Sequence, residues 1–444
     1  MRLLDTGTKY FDRYSYGVPK LENTWGCMID FLDTVLVNGS ETQEILSTTV
    51  KDDPIYPEHY WLIELFINPN HGFKSNLSVV EISEASNPTY NGVFRVQDTT
   101  TNSITIAFSK IDHPIKPLNL EYTFGITLKS PALGYEKIYA APQKAVYKVN
   151  TKDDKSCYLR VDNSCPLEQD PSHMKFSRVS MFEYMDHIDD YTFKQDRKKA
   201  PANTSNYNLV EEGIQNVWFN TTVYNNTGVI FKTTPDSQKF YCLFGDSSTF
   251  YLHWDSLRRD SVATEDRDET YCFGKYKKLI YKEDPLPFIL RCSRRENFTS
   301  SYFTASTDYS SITRDRAYSN YTFNTEEHRI FELPTHDKFA LWLNDSFSSG
   351  SDTRLNYKPY KNELSMNIFD MNLRFFRPGN TVLEGRYRGI KSIMNNLKDY
   401  PAKRPPRYTT FSQEDKFYLM ISDRDRYDKG ESCYAVELTD WRDL

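Results

Sequence analysis

Apolar residues follow helical spacing clearly in one stretch, Trp25–Val37, and strand spacing through most of the chain after Asp52. In WGCMIDFLDTVLV, Met28, Phe31, Leu32, Val35 and Leu36 recur at i, i+3, i+4 and i+7, with Asp30 and Asp33 on the opposite side. Asn23 or Thr24 is placed to cap its start and Asn38-Gly39 to end it. A helix of roughly three turns is marginal alone, so its apolar face has to dock. Two partners are open: the chain's own domain, or a neighbouring subunit into which the helix inserts as a tether through those five residues.

Strand patterns follow. Tyr60–Ile67, Ser78–Ser83, Gly92–Gln97 and Ser103–Phe108 are closely spaced, with turn chemistry at Asn87-Pro88, Asn91-Gly92 and Asn102. They predict a small antiparallel barrel or sheet. Pro114 and Pro117 break the pattern, and Leu120–Leu128 is a further candidate strand. Ala145–Val149 and Cys157–Val161 form a pair joined by the polar loop Asn150–Ser156. The strongest hairpin is Lys239–Trp254: an aromatic run Phe240–Phe244, a turn at Gly245-Asp246, and a return strand from Thr249. Around it, Arg178–Met185, Val217–Phe219, Val229–Lys232, Tyr271–Phe273, Lys278–Tyr281 and Phe288–Arg291 continue the strand grammar. Phe369–Arg377, Tyr408–Phe411, Phe417–Ser422 and Cys433–Leu438 close the chain. Asp190–Asn208 and Ser293–Glu327 are polar and weakly periodic, which predicts surface loops.

The expected fold is therefore mainly β: a short N-terminal helix, a small antiparallel β-barrel or sheet, and a larger antiparallel β-sandwich-like region. The expected division is an N-terminal arm with the helix (1–50), a small β domain (51–114), a central sandwich-like domain (115–292), a polar insertion (293–365) and C-terminal strands completing the larger domain (366–444). A chain of 444 residues is long enough for several such cores.

Composition narrows the function. A net charge of -6 argues against a sequence-independent nucleic-acid binder, which needs a basic surface. Tyr (32) and Phe (28) are abundant in a chain of mean hydropathy -0.66, a combination that suits amphipathic, partly exposed rings at protein or sugar contacts. The first residues lack the apolar run of a secretory signal, and no stretch of about 18 apolar residues predicts a membrane span. Seven cysteines without a close CxxC pair suit free, buried thiols formed in a reducing cytosol. On that reading the eight Asn-X-Ser/Thr patterns, from Asn38 to Asn344, are chance.

Candidate chemistry is sparse. Asp186-His187-Ile188-Asp189-Asp190 would place His187 and Asp189 on one strand face, but a solvated strand end explains it as well, and Glu326-Glu327-His328 reads the same way. Asp423–Gly430 faintly resembles a calcium loop, yet Arg424 and Arg426 oppose a cation. No nucleophile elbow, phosphate loop or dinucleotide fingerprint is present. The expectation is no catalytic residue, no cofactor and no metal ligand, hence not an enzyme.

Several ordered phrases resemble a family of virion structural proteins of tailed bacteriophages, found among tail or tail-associated components. They are LENTWGCMIDFLDTVLVNG (Leu21–Gly39), the HGF of His71–Phe73 leading to the Tyr90-Asn91-Gly92 turn and on to Phe108, LGYEKIYAAPQKAVYKV (Leu133–Val149), YLRVD (Tyr158–Asp162) with FEYM (Phe182–Met185), the central hairpin, and the closing Asp440-Trp441-Arg442. The resemblance implies a virion protein of the tail, at the baseplate or the neck and collar, made in the host cytoplasm. It further implies several copies in a symmetric assembly, joining other virion proteins or fibres. The region 293–365 has no counterpart. Its Tyr-rich stretch from Ser300 to Tyr360 motivates the alternative of a host-surface glycan-binding module. A tail-borne glycan or cell-wall hydrolase is the third reading.

Overall fold

In the computed structural model, the described residues are 2–21, 27–117, 125–141, 144–150, 156–162, 178–182, 214–218, 240–256, 267–275, 277–278, 288–294, 367–377, 380–394, 408–413, 415–422, 433–439 and 441. They are mainly β, with one short N-terminal helix, a closed six-stranded antiparallel barrel and three further antiparallel sheets.

The central sheet is built on the hairpin. Phe240–Gly245 pairs with Thr249–Ser256 around a turn in which Asp246 N–H donates to Thr249 O at 2.9 Å. The Asp246 carboxylate accepts from the Ser248 and Thr249 amides, both at 2.9 Å, which fixes the turn. Arg267–Lys275 and Phe288–Arg294 extend the sheet on one side. On the other side the edge is Lys9–Asp12, with Lys9 opposite Gly245 and Asp12 opposite Cys242. Phe240–Gly245 is buried along its whole length, because side chains on both faces meet a core. Tyr241, Leu243, Phe250, Leu252 and Phe273 face one cluster, and Phe240, Cys242, Phe244, Tyr251 and Cys272 face the other.

The first cluster is completed by the helix and by Ala145, Tyr147, Val149, Leu159 and Val161. These five lie on a second sheet ordered Ile214–Trp218, Arg178–Phe182, Ser156–Asp162, Lys144–Asn150, Glu136–Ala141. The other cluster is completed by a third sheet, which supplies Tyr387, Ile390, Leu419, Ile421 and Val436. Its spine is the long strand Asn380–Met394, paired with Asn367–Arg377 and Cys433–Glu437. The hairpin is thus the middle of three layers.

The third sheet is clamped to the hairpin turn through Arg388. Its guanidinium meets both Asp246 oxygens at 2.8 and 3.1 Å, donates to Ser248 Oγ and to Thr249 Oγ1 (3.0 Å), and reaches the Trp441 carbonyl at 2.5 Å. The Trp441 ring lies edge-on to Phe244 and Tyr251, and its Nε1–H donates to Glu437 O at 2.6 Å. The closing tryptophan is therefore part of the core.

The barrel runs Gln43–Asp52, Tyr60–Ile67, Ser103–Ser109, Gly92–Thr99, Val79–Ser83 and Thr127–Lys129. Thr127–Lys129 closes it by pairing with both Gln43–Glu44 and Glu81–Ser83. The expected small β domain starts earlier than residue 51, since Gln43–Asp52 is a barrel strand. Isoleucine, leucine and valine from all six strands fill the interior.

An N-terminal segment crosses the barrel's outer face. Arg95 is 2% exposed and donates to the carbonyls of Asp5 (2.5 Å), Thr8 (2.6 Å) and Leu77 (2.9 Å), while Gln97 Nε2 reaches Leu3 O at 2.7 Å. Burial lowers the Arg95 pKa to about 10, so the group stays cationic at neutral pH. Barrel and central sheet meet where the loop after Tyr60–Ile67 touches the turn after Lys9–Asp12. Lys74 pairs with Asp12 at 2.5 Å and lies over the rings of Tyr14 and Phe240 at 5.5 and 5.4 Å. Gly72 has φ +69, and a Cβ there would come within 2.0 Å of Tyr14 O. Gly72→Ala is expected to cost at least the ~1–3 kcal/mol of a strained backbone conformation. Gly125→Ala, at φ +86 with nothing within 4 Å, isolates the strain from the contact when the two urea midpoints are compared.

Candidate interaction surface

Two places bear on partner contacts: the helix expected as a tether, and the far end of the barrel. The helix is α-helical over Cys27–Leu32 and π-helical over Asp33–Asn38. The wider turn ends with Gly39 N–H donating to Thr34 O at 2.8 Å. It also presents the Val35 and Leu36 carbonyls to the chain entering the second sheet. Leu133 N–H donates to Val35 O, and the Gly134 and Tyr135 amides to Leu36 O, all at 2.9 Å. The proposed caps Asn23 and Thr24 lie outside the described residues.

Met28, Phe31, Leu32, Val35 and Leu36 are all buried in the chain's own core, between the central and second sheets. Phe31 is fully buried and meets the Tyr241 ring edge-on at 5.8 Å. The polar side is anchored as well: Asp33 accepts from Tyr147 OH at 2.8 Å and pairs with Lys137 at 2.6 Å. Burial beside that carboxylate pushes the Tyr147 phenol up, so it remains a donor. The five residues expected to contact a neighbouring subunit are thus occupied within this chain. The tether expectation is corrected: the i, i+3, i+4 stripe reports burial, and the sheets of the same chain supply the partner.

The far end of the barrel differs. Loops 53–59, 84–91 and 110–117 all leave the barrel at the end away from the Gly72 joint, as the strand order requires. Ile55 (64%), Ile111 (86%) and Ile115 (83%) are the most exposed large apolar side chains among the described residues, and all three sit here. Pro54, Pro57 and Pro114 are exposed beside them.

The loops carrying them are pinned. Asp53 accepts the Ile55 and Tyr56 amides at 2.8 and 3.3 Å and is held by Arg2 through contacts of 2.7 and 3.1 Å. That guanidinium bond keeps the Asp53 carboxyl below the usual carboxylate range. Lys110 bonds Asp52 at 2.7 Å and Pro57 O at 2.5 Å, with its ammonium 3.6 Å from the Trp61 ring centroid. The Trp61 Nε1–H donates to His113 O at 3.1 Å. Beneath the loops, the Phe108 ring meets Phe94 tilted and His113 edge-on, with centroids 4.8 Å apart in each pair.

The chain matches no protein-family model and no curated protein. Among the described residues, no three His, Cys, Asp or Glu are grouped to hold a metal ion. No helix among them is long and apolar enough to cross a membrane. Of the sequence candidates, Asp186–Asp190, Glu326–His328, Asp423–Gly430 and the Ser300–Tyr360 stretch lie outside the described residues. Sequence reasoning passed over Ile55, Ile111 and Ile115. The available signal was apolar residues among prolines with no periodic partner, in PIYP and DHPIKP.

Proposed function

We propose that the protein is a structural component of a tailed-bacteriophage virion, in the tail at the baseplate or the neck, present in several copies and joining neighbouring tail proteins or fibres. The observation that carries this reading is the barrel's far end, where three exposed isoleucines stand on loops tied down by Arg2–Asp53 and Lys110–Asp52. A pre-ordered apolar tip loses little conformational freedom on binding, so more of the burial energy appears as affinity. Repetition in a symmetric assembly then multiplies modest contacts. The ordered phrases that resemble phage tail proteins support the same reading. The glycan-binding alternative draws on residues 300–360, and nothing among the described residues adds to it.

Tag or immunogold labelling of intact particles, viewed by electron microscopy, tests the reading. Label at the tail tip or the head–tail junction supports it, and particles without label anywhere sink it. The tip has its own test, the double variant Ile111→Asp, Ile115→Asp. Surface changes shift stability by only about 0.5 kcal/mol. Each isoleucine buried in a contact contributes about 1.5–3 kcal/mol, so incorporation into particles is expected to fall more than about tenfold while the melting curve stays put. Normal incorporation of the variant would assign the contact to another surface.

A further inference from the structure

His71-Gly72-Phe73, part of a phrase noted in the sequence, forms the joint between barrel and central sheet. The His71 ring is 4% exposed and stacks on Phe73 at 5.5 Å. Both ring nitrogens have partners of fixed polarity. The Phe73 amide donates to Nδ1 at 3.1 Å, so Nδ1 carries no proton. Nε2 lies 2.9 Å from Thr100 O, which only accepts, so the proton is on Nε2. The neutral ring is therefore built into the loop, and an added proton has to take the place of the Phe73 bond.

That loop holds the two bodies together. Gly72 rests against the Tyr14 backbone, Phe73 inserts into the barrel core, and Lys74 reaches Asp12. The charged and titratable groups of the adjoining elements include Tyr10, Asp12, Arg13 and Tyr14 on the N-terminal strand and turn, Lys74 in the loop, and Arg95 and Asp98 on the barrel. Lys74 pairs with Asp12, Arg13 lies over the Tyr14 ring at 5.4 Å, and Asp98 accepts from Ser75 Oγ at 3.3 Å and from Thr99 N–H at 2.8 Å. None of them bonds to the imidazole.

We propose that His71 is a proton-sensitive latch: protonation at Nδ1 breaks the bond from Phe73 N–H and releases the loop that fastens the barrel to the central sheet. Burial holds the His71 pKa below its usual value. The folded state therefore binds the proton less readily than the unfolded chain. The latch contributes in full above the unfolded histidine value of about 6.5, and its contribution is lost as pH falls from there toward the folded value. The latch is independent of where in a particle the protein works.

Hydrogen exchange of the full chain, corrected for intrinsic rates, at about pH 7.5 and about pH 5 tests it, since a latch opened by a proton loosens as pH falls below the unfolded histidine value. Peptides covering 9–17 and 68–78 are expected to lose protection at the lower pH, while 103–109 keeps its own. His71→Asn retains an oxygen able to accept the Phe73 amide as an Asx turn but does not titrate, so the loss is expected to vanish. Equal protection at both pH values, or the same loss in His71→Asn, overturns the latch. If the variant does not fold, nitrogen NMR of the wild-type protein decides. A Phe73 amide that moves with the imidazole titration supports the latch, and one that stays fixed, or a protonated Nδ1 at neutral pH, overturns it.

Discussion

Replacing Arg388 by methionine is expected to lower the unfolding free energy by about 3–5 kcal/mol, the usual cost of removing one partner from a buried ion pair. Methionine keeps much of the aliphatic volume, so the loss reads the guanidinium. Without it, Asp246 loses the cation that meets both its oxygens, and the Trp441 carbonyl is left without that donor in a buried site. Arg388→Lys is expected to recover only part of this, because a point ammonium cannot span both Asp246 oxygens and the Trp441 carbonyl at once. Urea unfolding gives the magnitude. A loss under about 1 kcal/mol would mean that the clamp is dispensable and that the apolar contacts of Trp441 hold the third sheet unaided.

Phe31→Ala is expected to cost about 3–5 kcal/mol, in the range of large-to-small changes at fully packed aromatic sites. Phe31 is fully buried between the central and second sheets, against Tyr241. Phe31→Asp would bury an unpaired carboxylate and is expected to prevent folding. This outcome separates a core helix from a tether. A tether variant would fold normally and fail only in assembly. A Phe31→Ala protein with an unchanged melting temperature would restore the tether reading.

Much of the barrel and the central hairpin was legible because their signals are local. Tyr60–Ile67 and Ser103–Ser109 are apolar runs bounded by turn residues, and Gly245-Asp246 marks its own bend. The N-terminal strand Lys9–Asp12 was not legible, since its four residues become a strand only by pairing with a segment far along the chain. Gln43–Asp52 was missed because Ser, Thr, Gln and Glu dominate it, and Asn380–Met394 because polar and glycine residues interrupt its apolar positions. The helix was legible as an amphipathic element, but periodicity says that a face is covered and not by what. Exposed isoleucines on loops leave no periodic trace, so the tip emerged only from their accessibility.

The pairing of Lys9–Asp12 with Phe240–Gly245 also sets the order in which the molecule is made. Every strand pairing of the barrel lies between residues 43 and 129, so its ladder can close while the rest of the chain is still being synthesised. The segment from Lys9 to Leu21 has no such option: Lys9–Asp12 pairs with Phe240–Gly245, and the Leu21 amide waits for the Tyr241 hydroxyl, 220 residues downstream. The N-terminal strand and the helix stay without their final partners until the ribosome has passed the hairpin, leaving Phe11, Phe31 and Leu36 as apolar surface for chaperones to cover.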